Sequence, residues 1–220
     1  MKKLCSIVVL LAGALAISAA QEQIAGFIFI NGTSLEHPVK FYASGKPLFI
    51  EDGLPAGLAT SGLGLPVGEY KLTASAEGCQ PAEMNFTIAP GKCPTIICYL
   101  KEVKNPQSGE VKRELAFLEF AHRPASDGEY ILRFLYIPTD PGNPSQIPPI
   151  QGTIAGQPVT LKAFEPLELK PGKKVSFVTE AGQELETTDL EEPGAYYYLI
   201  FPGKDGGFAS TVSQDKLYVW

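Results

Sequence analysis

Short apolar–polar alternation, cut repeatedly by glycine and proline, constrains this chain more than any other feature. Tyr70, Leu72 and Ala74 alternate with Lys71, Thr73 and Ser75. Met84, Phe86 and Ile88 alternate with Glu83, Asn85 and Thr87, and Val159, Leu161 and Ala163 with Thr160 and Lys162. A period of two over five or six residues is that of half-buried strands. Phe27 to Ile30 and Tyr130 to Ile137 are apolar at both parities, which suits central strands covered on two faces. Glu110 to Ala121 has Val111, Leu115 and Leu118 at helical spacing, but its dense aromatics favour a strand. The 22 glycines and 19 prolines fall between the apolar segments and act as turn punctuation. The expectation is an all-β chain.

The N-terminus carries a second message. Met1-Lys2-Lys3 precedes an apolar run from Leu4 to Ile17 and the small residues Ser18-Ala19-Ala20. That is the pattern of a cleaved secretory signal peptide over residues 1–20, with the cut between Ala20 and Gln21. The run is shorter than the roughly 20 residues that span a bilayer. No later stretch is apolar enough to cross a membrane as a helix. Loss of Lys2 and Lys3 takes the net charge from −6 to −8. Such acidity lacks the basic footprint of a nucleic-acid binder and would be repelled by anionic lipid. An exported protein, periplasmic or secreted, is expected.

Turn patterns recur. Leu63-Gly64-Leu65-Pro66-Val67-Gly68 reappears as Leu167-Glu168-Leu169-Lys170-Pro171-Gly172, and Pro90-Gly91 as Pro193-Gly194. The strand faces do not follow: Tyr70 and Leu72 align with Lys174 and Ser176, one residue away from Val175 and Phe177. A one-residue slip inverts a strand's buried face. Either a bulge compensates or the match is accidental. If the repeat is real, the chain holds two tandem immunoglobulin-like β-sandwich modules, 22–102 and 114–220. The charged segment 103–113 would link them. The second module would carry a loop over 138–149, with five prolines in twelve residues.

Residues 27–100 resemble a family of small exported bacterial β-sandwich modules of unassigned function. The matching pieces are Asn31-Gly32-Thr33-Ser34, Val39-Lys40-Phe41-Tyr42, Gly45-Lys46-Pro47-Leu48, Pro66-Val67-Gly68-Glu69-Tyr70-Lys71-Leu72 and Pro90-Gly91-Lys92. Gly68 to Leu100 is also similar to PEGA-type surface modules. The region 114–202 matches more loosely, with Ala121-His122-Arg123-Pro124 standing where the family start lies. The resemblance implies architecture more than activity.

Chemistry-bearing motifs are sparse. His37 and His122 each lie beside proline without the partners a zinc site needs. Gly62, Gly64 and Gly68 lack phosphate-loop spacing, and no G-x-S-x-G elbow occurs. Ser44-Gly45-Lys46 reads as a hairpin turn. No catalytic residue, metal or cofactor is expected. A pocket joining His122, Asp127 and Arg133 would instead mark an enzyme, in the style of accessory factors for exported polysaccharide modification. The loop residues Asp140, Asn143 and Gln146 are candidate binding groups. Tyr196-Tyr197-Tyr198 and Phe201, as a strand, would present at least one ring outward for a sugar or an interface unless both faces are covered. Lys216-Leu217-Tyr218-Val219-Trp220 reads as a last strand able to join an edge. Three cysteines follow the leader. Cys79–Cys98 is the more reachable disulfide, and free buried thiols are the alternative. The reading is a non-enzymatic envelope or extracellular module for an unknown protein or glycan, with a structural spacer as the alternative.

Overall fold

The computed structural model describes residues 24–48, 52–60, 62–121, 123, 125–140, 147–170, 172–185, 188–203 and 207–215. The expected leader, His122, Asn143, Gln146 and the 216–220 strand lie outside the described residues. The expected all-β class holds: no helix occurs among the described residues. In chain order the strands are β1 (Ile24–Asn31), β2 (Lys40–Ala43), β3 (Lys46–Pro47), β4 (Leu63–Pro66), β5 (Gly68–Ser75), β6 (Ala82–Ile88), β7 (Thr95–Lys104), β8 (Val111–Phe120) and β9 (Tyr130–Tyr136). They continue as β10 (Ile150–Ile154), β11 (Gln157–Leu161), β12 (Leu167–Leu169), β13 (Lys174–Val175), β14 (Phe177–Thr179), β15 (Thr188–Asp189), β16 (Gly194–Pro202) and β17 (Phe208–Asp215).

These strands build four layers with three apolar seams between them. The outer sheet β3-β2-β5-β6 covers one face of β4-β1-β7-β8. The other face of that sheet packs on β12-β9-β16-β17. A fourth layer, β11-β10-β14 with the β13-β15 ribbon, closes the far side. The doubly apolar segments explain the stacking, because β1, β7, β9 and β16 are each buried on both faces. Phe27, Phe29, Ile96 and Cys98 enter the first seam. Their neighbours Ile28, Ile30, Ile97 and Tyr99 meet Leu135, Ile137, Tyr197, Leu199 and Phe201 in the middle one. Leu132, Phe134, Tyr196, Tyr198 and Ile200 enter the third. A strand with one polar face could not occupy either inner layer without stranding that face from water.

The two inner sheets share one plan. β1 runs antiparallel to β4 and parallel to β7, while β9 runs antiparallel to β12 and parallel to β16. The hairpins β2–β3 and β10–β11 turn alike, through Ser44-Gly45 and Ala155-Gly156, all four at positive φ. The misaligned faces also resolve. Val175, Phe177 and Thr179 are buried in turn, as Leu72 and Ala74 are, because the connection from β12 to β13 is longer than that from β4 to β5. Tyr70 donates its hydroxyl to the Pro66 carbonyl at 2.8 Å, and Tyr196 donates to the Glu192 carbonyl at 2.7 Å. Both are the tyrosine-corner contact of β-sandwiches. Each ring lies against a glycine two residues earlier, Gly68 or Gly194.

The expected linker is corrected by the pairing. β7 and β8 are antiparallel from Thr95↔Phe120 to Lys104↔Val111, so 103–113 spans strand ends and a hairpin tip. Asn105 Oδ1 accepts from the Gln107 and Ser108 amides, and Gly109 takes positive φ. Exposed charge, proline and serine have the same composition in a hairpin tip as in a linker, so the sequence could not separate them.

The resemblance motif Asn31-Gly32-Thr33 turns out to be a buried hub. Asn31 Nδ2 donates to the Leu54 carbonyl at 2.7 Å, and its Oδ1 accepts from the Thr33 amide and hydroxyl. The Asn31 backbone also bonds Leu58 and Gly57. This pins the 52–60 loop against β16, where Gly57 meets Phe201 so closely that a Cβ would sit 2.8 Å from the ring.

Candidate functional site

The densest polar cluster lies at one end of the middle seam. β9 and β16 place Arg133 beside Tyr197, β12 places Glu168 on Arg133's other side, and β17 brings Asp215 across. Arg133 Nη1 donates to Asp215 Oδ2 at 2.6 Å and to the Tyr197 hydroxyl at 3.2 Å. Its Nη2 donates to the Arg123 carbonyl, and its Nε stands 3.5 Å from Glu168. The Asp215 side chain has no exposure and that of Arg133 has 7%. The guanidinium also lies over the Tyr197 ring. Burial, and then the charge of Asp215, push the Tyr197 hydroxyl up to about 12 despite the opposing pull of Arg133.

Outside this lock the surface opens into a recess of about 180 Å³ lined by Phe120, Arg123, Glu168, Tyr197 and their neighbours. Arg123 Nη1 bonds Glu168 Oε2 at 2.8 Å across its rim. Aromatic carbon beside an exposed ion pair can hold a sugar ring or a polar side chain. Proton transfer at Arg133 is not available, because a guanidinium stays charged. Two further depressions are larger. One, about 420 Å³, is lined by His37, Lys40, Asp52 and Glu77. There His37 Nε2 stands 3.8 Å from Glu77, with both side chains exposed. The other, about 260 Å³, has Asp189, Glu191, Tyr196 and Gln214.

Most residues singled out from sequence have structural places. Asp140 is buried, not presented on a loop. Its amide and carbonyl bond Leu100 and Glu102 of β7, in the lane that β1 leaves after Asn31. Its carboxylate faces Lys101 at 3.9 Å. A proline-rich composition marked the loop but gave no sign that Asp140 pairs with Lys101 of β7, 39 residues earlier. Tyr196, Tyr197, Tyr198 and Phe201 present no ring outward, since β16 lies between two layers and feeds both seams. Asp127 sits exposed in a turn, apart from the Arg133 lock. The sequence reading missed Asp215 and Glu168 altogether. The one available signal was an arginine inside the apolar run Tyr130–Ile137, which demands a buried anion.

Cys79 and Cys98 are unbridged thiols, as is Cys93. They are nonetheless neighbours: burial first, and then Cys79, push the Cys98 thiol far above the usual range. No group of three or more His, Cys, Asp or Glu side chains among the described residues could hold a metal ion. No described helix is long and apolar enough to cross a membrane.

No protein-family model and no curated protein matches the chain. Among solved structures, the chain aligns with one described as a "putative cell adhesion protein" from Bacteroides uniformis. The match has 13% identity and a TM-score of 0.18, over 88% of this chain and 98% of that one. A score that low carries no argument about fold or role. The layers and pairings described here define the class: an all-β protein of stacked sheets.

Proposed function

We propose that the chain is an exported, non-enzymatic β-sandwich protein that binds a protein or glycan of the cell envelope. The observation that carries this reading is the recess at the end of the middle seam. It sets the half-buried Phe120 beside the Arg123–Glu168 pair, next to the buried Tyr197, on a scaffold held rigid by the Arg133–Asp215 lock. Rigid aromatic carbon with a few fixed polar groups is how weak sugar and side-chain ligands are held. The leader pattern of residues 1–20 supports export, and the matched motifs of residues 27–100 support membership of the exported module family.

The test uses the purified protein with immobilised envelope polysaccharides and with chemical cross-linking to envelope extract. Retention that falls at least tenfold on Arg123→Ala is the expected outcome, and no retention by the wild type refutes the reading. Retention unaltered in Arg123→Ala removes the recess as its location. A structural spacer is the second reading, favoured by the way Asp140 is built into β7. Arg123→Ala separates the two, since a spacer tolerates loss of the recess ion pair and a recess-borne binder does not.

A further inference from the structure

At the rim of the recess, Arg123 Nη1 and Glu168 Oε2 stand 2.8 Å apart, with side chains 66% and 30% exposed. A guanidinium has five donors and a carboxylate about four acceptor sites, so the pair offers a donor and an acceptor side by side without coming apart. An entering ion meets opposition whichever its sign. A carboxylate or phosphate faces Glu168, and an ammonium faces both Arg123 and Arg133, whose Nε is 3.5 Å from Glu168. The lining also includes apolar carbon from Phe120, Ala121 and Pro166. The half-buried Phe120 has its ring centroid 5.9 Å from that of the buried Tyr197, a contact that restrains the ring. The volume, about 180 Å³, lies below the roughly 300–1,000 Å³ of sites for drug-sized ligands and suits a single ring.

Resting on the reading that this recess is the binding site, we propose that its ligand is one neutral pyranose residue of a glycan. The C–H face of the sugar lies on Phe120, where weakly positive hydrogens meet the negative face of the aromatic ring. Two adjacent hydroxyls span the ion pair, one donating to Glu168 and the other accepting from Arg123. Neighbouring ring hydroxyls lie about one hydrogen-bond length apart, as the two rim atoms do. Both bonds are charge-assisted and so stronger than neutral ones. Polypeptide side chains fit less well. Serine, threonine and tyrosine bring a single hydroxyl, and a carboxamide brings both polar atoms without a C–H ring face for Phe120.

Saturation-transfer NMR on the full chain, with the methyl glycosides of glucose, galactose and mannose at about 10 mM, covers the millimolar affinity expected for so small a ligand. At least one glycoside should receive saturation. Arg123→Ala, at a mostly exposed side chain, should lower its affinity at least fivefold while circular dichroism stays native. Phe120→Ala should lower it as far. If that variant loses its fold, Phe120→Leu, which keeps apolar volume without the aromatic face, takes its place. Methyl glucuronide, glucosamine and propionamide, carrying an anion, a cation and a bare carboxamide, should each bind at least fivefold more weakly. No transfer to any neutral glycoside overturns the proposal, as does equal or tighter binding of any of those three probes. If envelope retention still falls in Arg123→Ala, the recess remains a binding site and only its ligand class is wrong. If retention is unaltered as well, the recess reading falls with it.

Discussion

Replacing Asp215 by alanine removes a carboxylate whose side chain is wholly buried against Arg133, leaving a guanidinium with 7% exposure in the middle seam. Breaking a buried pair by deleting one partner costs about 3–5 kcal/mol, because the survivor keeps its desolvation penalty. Arg133 retains the Tyr197 hydroxyl, the Arg123 carbonyl and Glu168 at 3.5 Å, so the lower end of that range, ~3 kcal/mol, applies here. In urea, with a slope of about 2 kcal/mol/M for a chain of this size, the unfolding midpoint falls by roughly 1.5 M. Arg133→Met alone takes the guanidinium from Asp215, leaves it the Arg123 amide at 3.4 Å, and costs a similar amount. The double variant Arg133→Met/Asp215→Leu replaces the pair with apolar volume and returns to within ~1 kcal/mol of the parent. Equilibrium urea unfolding, followed by tyrosine fluorescence and circular dichroism, measures all four proteins. A midpoint shift below about 0.5 M for Asp215→Ala, or costs that simply add in the double variant, refutes the lock.

Three other outcomes follow from the same packing. Tyr197 ionises near pH 10 when unfolded but at about 12 when folded, so its contribution is intact below pH 10 and drains away between pH 10 and 12. Tyr197→Phe flattens that part of the alkaline stability profile, and ultraviolet titration of the folded parent shows a tyrosine ionising near 12. Asn31→Ala leaves the Leu54 carbonyl only the Val39 amide, takes the acceptor from both Thr33 groups, and costs about 1–3 kcal/mol. Hydrogen exchange rises in residues 52–60 ahead of the sheets. Native-state alkylation labels the half-buried Cys79, and spares Cys98 and Cys93 until denaturant is added.

Alternation and doubly apolar runs were legible before any coordinates, because burial on one face or two writes itself directly into residue order. They located β5, β6, β9, β11 and the Ser44-Gly45 turn, and they made the all-β class plain. Composition misled where it cannot sense depth. The tip of the β7–β8 hairpin read as a linker, and Asp140 as a presented loop group.

What the chain order determined by itself was local: which segments extend, where they turn, and which carry apolar side chains on both faces. What only the tertiary structure decided was who covers whom. Stacking β1 and β7 on β9 and β16 turned three tyrosines inward, and set Arg133 against an aspartate 82 residues away. A strand's pattern reports that a face must be hidden, but the partner that hides it is chosen by long-range packing and charge compensation, to which local sequence is blind.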